Sequence, residues 1–343
     1  MREASWCDIS VIVPVFNAAQ MIEKCLRAIN HQQGIDRTTF EIIVVDDAST
    51  DASAQIAGRL CDRLIILQTN SGAATARNTG ARAASGKIII FVDSDVILEP
   101  HSLSTFMAVF EKDDLISAAV GCYSEKPAET KWFNVYHNAF TRYHHNLSSK
   151  EIDWFWGAIS AVRKDAFLKS GGFDERYQGA SGEDLALGRI LFDQGHKIVY
   201  MPEAKGAHAH HFTFLRMIKN DYLKAVTGMK MKLTNILPRR APDFINFNSI
   251  LSAFLLMLCP LLILANLAIP IPCLAGIICL IFLGLLIINR KYYAYLDNIF
   301  GLRFSFFVPF LHWLQMYVII AGAIMGVLGY LLGRSAFGRP NWI

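Results

Sequence analysis

Glu41-Ile42-Ile43-Val44-Val45-Asp46-Asp47-Ala48-Ser49-Thr50-Asp51 runs from an unbroken apolar stretch straight into a cluster of carboxylates and hydroxyls. A strand that is apolar at successive positions, rather than at alternate ones, is covered on both faces, as in a parallel sheet flanked by helices. The same layout recurs on either side. Residues 9–15, 64–67 and 87–92 are further apolar runs, and residues 19–32, 52–60, 72–84 and 102–110 carry helical spacing between and after them. This alternation predicts an α/β domain with a mostly parallel, Rossmann-like sheet over residues 1–211. In such sheets ligands bind beyond the carboxyl ends of the strands, so the residues after each run are the first candidates for function.

Those residues are polar and acidic. Pro14-Val15-Phe16-Asn17 closes the first run, Asp46, Asp47 and Asp51 follow the second, and Asp93-Ser94-Asp95 follows the fourth. Carboxylates two positions apart form a compact oxygen site for Mg2+ or Mn2+. Such a cation neutralises a diphosphate and stabilises it as a leaving group. An Asp behind a strand can also simply cap the next helix, which is the plain alternative for Asp51. The third helix opens at Asn70-Ser71-Gly72 and continues Ala76-Arg77-Asn78-Thr79-Gly80. Its start offers backbone N–H groups to phosphate, and Arg77 adds a cation able to clamp it. Neither a Gly-x-Gly-x-x-Gly fingerprint nor a P-loop lysine occurs, which argues against dinucleotide redox chemistry and P-loop hydrolysis.

With 53% hydrophobic and 18% charged residues, and a mean hydropathy of +0.32, the chain is too apolar for an ordinary soluble enzyme. A net charge of +4 gives no basic footprint for nucleic acid. Seven scattered cysteines, with no Cys-x-x-Cys pair, argue against a disulfide framework or a cysteine zinc site and fit a reducing compartment. Residues 9–16, broken by Pro14, read as strand and turn rather than as a signal peptide.

Residues 244–289 contain no Asp, Glu, Lys or Arg, a stretch longer than the ~20 residues one crossing needs. Asn266, Pro270 and Pro272 divide it into helices near 249–268 and 273–289. A third span is expected near 313–332, with 304–311 interfacial because Pro309 and His312 weaken its start. Residues 290–303, with Arg290, Lys291 and three tyrosines, suit a headgroup boundary. Ahead of the spans, Leu215, Ile218, Tyr222, Val226, Met229 and Leu233 recur at helical spacing, with Arg216, Lys219, Lys224, Lys230 and Lys232 at other positions. That is a basic amphipathic helix suited to an anionic membrane surface, or else one packed on the domain with a solvated charged face. The expected organisation is a catalytic domain at 1–211, an interfacial helix and linker at 212–242, and a membrane region of about three helices at 243–343.

Taken in order, Val11-Ile12-Val13-Pro14-Val15-Phe16-Asn17, the stretch from Ile42 to Asp51, Gly72 with Ala76-Arg77-Asn78-Thr79-Gly80, and Asp93-Ser94-Asp95 resemble family 2 glycosyltransferases of the GT-A fold. Gly171-Gly172-Phe173-Asp174-Glu175 and Gly182-Glu183-Asp184 continue the match. The resemblance implies inverting transfer of one sugar from a nucleotide diphosphate sugar to an acceptor hydroxyl. By matched position it implies that Asp47 reads the donor base, with Pro14, Asn17, Gly72 and Arg77 in the donor site. Asp93 then lies near the ribose and sugar, Asp95 ligates Mg2+ or Mn2+, and Asp184 is the acceptor-activating base beside Trp156, Gly157 and Glu183. The alternatives are a loop-ordering hydrogen bond for Asp47 and a helix cap for Asp184.

His208 and His210 match the late histidine with which some GT-A enzymes complete the metal site, or belong to a merely polar loop. His144 and His145 are expected at the surface or near the acceptor. Gly179-Ala180-Ser181-Gly182 reads as a loop able to close over substrates. No Gln-x-x-Arg-Trp motif occurs and no membrane helix precedes the domain, which disfavours a processive polymer synthase. Val96-Ile97-Leu98-Glu99-Pro100 is an imperfect match to dolichyl-phosphate mannose synthases. Pro14-Val15-Phe16-Asn17-Ala18-Ala19 lacks the glycine-rich basic loop of sugar nucleotidyltransferases. The expected partners are the sugar nucleotide, a lipid-linked or glycan acceptor and membrane lipids, with the catalytic domain cytoplasmic and no nucleic acid bound.

Overall fold

A computed structural model describes residues 7–177, 182–209, 213–238, 247–270, 272–301 and 306–332. Its elements begin with β1 (Ile9–Val15), α1 (Ile22–Asn30), β2 (Phe40–Asp46), α2 (Ser53–Ala57), β3 (Arg63–Ile66), α3 (Ala73–Ala83), β4 (Ile88–Val92) and β5 (Val96–Leu98). There follow α4 (Ser102–Lys112), β6 (Ile116–Tyr123), α5 (Trp132–His145), β7 (Glu151–Ile152), β8 (Ile159–Arg163), α6 (Lys164–Lys169), α7 (Glu183–Asp193) and β9 (Lys197–His208). β1 and β4 are buried throughout, and β2 at every position but Glu41, as continuous apolar strands between two helical layers must be.

The strands form one sheet in the order β3-β2-β1-β4-β8-β6-β9-β5, with β7 alongside β9. β3, β2, β1 and β4 are mutually parallel, the part that strand–helix alternation predicts. Beyond β4 the directions mix: β8 is antiparallel to β4 and β6, and β9 is parallel to β6 but antiparallel to β5 and β7. β5 and β7 are too short to stand out as apolar runs, so this half is not legible from periodicity. The architecture is the mixed α/β sheet of the GT-A type. Pro14 sits in β1 without weakening it, because the β1–β4 ladder ends at the pair Ile12–Phe91.

The C-terminal part continues as α8 (Phe214–Leu233), α9 (Phe247–Ala268), α10 (Leu274–Ile288), α11 (Arg290–Phe300) and α12 (Phe307–Leu331). Two helices, Asn248–Ala268 and Phe307–Leu331, are long and apolar enough to cross a membrane. The expected span at 273–289 is a 15-residue helix, about 22 Å long and short of a ~30 Å core. It turns by 70° into α11, and only the bent pair together could count as a third span.

α12 starts at Phe307, ahead of the expected 313. Pro309 falls in its first turn, where the missing N–H has no intrahelical partner to lose. Inside α9, Pro260 removes the bond that the Leu256 carbonyl would otherwise accept. Tyr317 of α12 supplies a substitute, its hydroxyl donating to Leu256 O at 2.7 Å.

α8 packs along α12. A Cβ at Gly322 or Gly326 of α12 would lie 2.6 Å from Tyr222 O or 2.7 Å from Val226 O of α8, so the two helices meet backbone to backbone. Met217, Val226 and Met231 of α8 are buried while Leu215 stays exposed. Of the residues whose spacing suggested lipid contact, Val226 is buried, Ile218, Tyr222 and Met229 are half-buried, and Leu215 and Leu233 stay exposed. At its C-terminal end Met231 packs with Tyr177 and Ala186, beside the start of α7.

Candidate active site

The carboxyl edge of the parallel strands gathers the acidic residues. Asp47, at the end of β2, is buried, and its two carboxylate oxygens accept from Ser71 N at 2.7 Å and Gly72 N at 2.8 Å. The N–H groups expected to face phosphate at the start of α3 are thus partly engaged by Asp47, which orders the turn while each oxygen keeps a second lone pair. Asn17, exposed at the end of β1, ties the neighbouring loop by accepting from Thr50 N at 2.9 Å. Pro14 is buried within the strand. Asp51 accepts from Ser53 N at 2.9 Å and Ala19 N at 3.1 Å, the capping role given as its plain alternative.

Arg77 differs most from expectation. It is buried, and instead of an open cation it bridges two carboxylates, with Nη2 to Asp93 Oδ1 at 2.7 Å and Nη1 to Glu183 Oε1 at 3.0 Å. Its guanidinium also lies 5.3 Å from the Phe173 ring centre. Both terminal nitrogens of Arg77 are thus directed at protein carboxylates rather than held open for phosphate. Glu183, buried beside it, is likewise a partner of Arg77 rather than an open acceptor residue. Gly157 makes the arrangement possible: a Cβ there would lie 2.8 Å from the Arg77 Cζ.

Gly157 N also donates to Asp184 Oδ2 at 3.3 Å, and Leu185 N to Asp184 Oδ1 at 2.8 Å. The surroundings of the Asp184 carboxyl also set its acidity. Burial, reinforced by the charge of Glu183 and opposed by Arg77, raises its pKa to about 6. Asp93 is also held above the ordinary range, chiefly by burial, with Arg77 opposing and Asp95 adding to the rise.

Asp95 meets His208 because the turn Asp93-Ser94-Asp95 leads directly into β5, whose Val96 pairs with His208 of β9. Asp95 Oδ2 and His208 Nε2 lie 3.4 Å apart, close to the ~3 Å that separates adjacent ligand atoms on one cation with bonds near 2.1 Å. This mixed oxygen–nitrogen pair fits Mn2+ or Mg2+, although no group of three His, Cys, Asp or Glu residues suited to a metal occurs among the described residues. His210 and Gly179-Ala180-Ser181 lie outside the described residues.

Sequence reasoning missed Tyr123, at the end of β6. Its ring stacks on His208 at 4.6 Å and meets Trp156 edge-on at 4.5 Å, fixing both. An aromatic closing an apolar strand was the available signal. It missed Asn78 as well, which accepts from Phe173 N at 2.9 Å and donates to Phe173 O at 2.7 Å, pinning the loop after α6 to α3. His144 and His145, expected at the surface or near the acceptor, are buried, which overturns the surface placement. Burial pushes their pKa values down to about 4 and about 3, and His145 packs against Trp154 and Trp156.

Residues 10–171 match the family described as Glycosyl transferase family 2. Validoxylamine A glucosyltransferase of Streptomyces hygroscopicus subsp. jinggangensis (strain 5008) is 28% identical over 235 residues, which are 59% of this chain and 56% of the relative. The uncharacterized glycosyltransferase YibD of Escherichia coli (strain K12) is 36% identical over 111 residues, 31% of each chain. The chain spans about half the length of the first curated relatives it matches, 56% and 52%. Among solved structures, the mannosyltransferase PcManGT from Pyrobaculum calidifontis, in complex with GDP-Man and Mn2+, superposes with a TM-score of 0.59 at 18% identity, over 93% of this chain and 87% of that one. That likeness is one of fold. Residues 10–171 are thus similar to family 2 glycosyltransferases, and the chain shares the GT-A fold over 93% of its length.

Proposed function

We propose that the chain transfers a single sugar, with inversion, from a nucleotide diphosphate sugar to a hydroxyl of a lipid-borne acceptor at the cytoplasmic face of a membrane. The observation that carries this reading is the Arg77 bridge. It joins Asp93 to Glu183, 90 positions later in the chain, and so brings the expected base, Asp184, to the edge that carries the expected donor and metal residues. Asp95 and His208 would hold the divalent cation, which when bound supplies charge neutralisation for the diphosphate leaving group. Asp47 and Asn17 would read the base of the nucleotide, and Asp93 would contact the ribose and sugar.

Asp184 draws the proton from the acceptor hydroxyl as its oxygen attacks the anomeric carbon. The bond from that carbon to the diphosphate breaks on the opposite side, so one displacement inverts the centre. Tyr123 and Trp156 wall the site beside His208 and exclude water, which competes as acceptor. A lipid-borne acceptor is supported by the two membrane-length helices and by α8, which joins α12 to the start of α7. A cytoplasmic catalytic face is supported by Arg290 and Lys291 at the end of α10, since basic residues stay inside.

The deciding experiment combines a nucleotide-sugar screen by thermal shift with the anomeric configuration of the product. The reading expects one donor class to raise the unfolding temperature and a product opposite in configuration to the donor. A retained configuration removes the single-displacement mechanism. Protease protection of the catalytic domain in sealed right-side-out vesicles tests the orientation, and digestion there would reverse it.

A further inference from the structure

A cleft of about 790 Å3 opens between the end of α5 and a bowed part of β9, lined by Arg142, Ser148, Lys150, Tyr200, Glu203 and Lys205 among others. The sheet itself makes the cleft. Val120 of β6 pairs with Tyr200, but Cys122 pairs with Lys205, so residues 201–204 leave the ladder at Pro202.

Its lining is chemically incomplete. Ser148 Oγ and Arg142 Nε are buried without a hydrogen-bond partner, a costly state unless a guest supplies an acceptor. The remaining Arg142 nitrogens donate to Tyr123 O at 2.7 Å and to Glu125 at 3.0 Å, which fixes the guanidinium in place. Arg142 is paired with Glu125, and Lys150 and Lys205 share the lining with one acid, Glu203. Two lysines, the Arg142 Nε–H and the Ser148 hydroxyl together suit a phosphate group.

The neighbours of Arg142 point to the phosphate's carrier. Arg142 lies beside Tyr295 of α11, and Tyr143 of α5 packs its ring 4.9 Å from Tyr292 and 5.3 Å from Tyr295. α11 departs from apolar α10 at 70° and carries Arg290, Lys291 and three tyrosines, the composition of a headgroup layer. We propose that the cleft holds the anionic phosphate headgroup of a membrane lipid. The proposal rests on the membrane reading given above. A bound headgroup would brace Arg142, and through Tyr123 O the ring that stacks on His208.

The test uses the full chain in non-ionic detergent, titrated with dioctanoyl-phosphatidylglycerol, with dioctanoyl-phosphatidylcholine and with inorganic phosphate, and read by thermal unfolding. Lys150→Glu is compared alone and combined with Lys205→Glu, neither side chain belonging to the catalytic site. We expect saturable stabilisation by phosphatidylglycerol, weakened about tenfold or more in the double variant, with no comparable effect of phosphatidylcholine or phosphate. Equal binding by the double variant, no saturable binding, or a full effect from inorganic phosphate alone would each overturn the assignment. Carbonate extraction of native membranes separates the two failures: a chain released by carbonate ends the membrane reading and the cleft proposal with it. A chain that stays in the membrane while the double variant binds lipid normally ends the cleft proposal alone.

Discussion

At the scale of single residues, Asp184 and Gly157 carry the sharpest tests. A general base must be ionised, and burial has lifted the Asp184 carboxyl to about 6. Activity should therefore rise with pH through about 6 and level off above it, as a pH–rate profile would show. Asp184→Asn should lower turnover by about 10²–10⁴-fold with donor affinity little changed. The same group links pH to stability. Its pKa is raised on folding, so its stabilising effect is fully present below the ordinary carboxylate range and is lost as pH rises through about 6. The Asn variant should not show that loss between pH 4 and 8 in thermal melts. Gly157→Ala should cost about 1–3 kcal/mol and displace Arg77, so activity falls while far-UV circular dichroism is unchanged. A fully active Gly157→Ala would show that the Arg77 bridge can move freely. Asp47, Asp93, Asp95 and Asp184 were legible because each follows a readable strand or opens a readable helix. The Arg77 bridge was not, since nothing in Ala76-Arg77-Asn78 reveals that a glycine 80 positions away leaves room for a guanidinium.

Among the elements, the first strands and α9 lay close to where periodicity put them, because apolar runs and turn residues act locally. α10 and α12 were harder. Pro309 looked like an obstacle, yet a proline in a first turn forgoes no bond, whereas Pro260, deep in α9, does. The hydroxyl of Tyr317 answers that deficit across the interface at 2.7 Å. Tyr317→Phe should lower stability by about 1 kcal/mol, measured by unfolding in detergent, with helix content preserved. The α8–α12 crossing depends on Gly322-Ala323-Ile324-Met325-Gly326, a small-xxx-small spacing visible in the sequence whose partner helix was not. Gly326→Leu should force α8 off α12 and reduce activity with little loss of helicity. An unchanged variant would mean that the crossing plays no part in the site.

Across the whole molecule, the sheet edge, α7, α8 and α12 form a continuous path from the expected base to a helix long enough to cross a membrane. Excess chelator should abolish transfer, and Mn2+ or Mg2+ should restore it. Asp95→Ala should be inactive with either metal yet unfold at nearly the wild-type temperature, whereas full activity in chelator would remove the cation from the reaction. Domain order was readable from composition, but the seating of one part on another was not, because it rests on glycines and on buried pairs far apart in the chain. The contact at Gly322 and Gly326 also orders events in time. Ribosomes deliver α8 well before α12, so a growing chain carries an uncovered stripe at Tyr222, Val226 and Met229 until its last described helix arrives. The support for α7 is therefore completed last, and a nascent chain whose final helix has not yet reached the bilayer would be a transferase domain still waiting to be switched on.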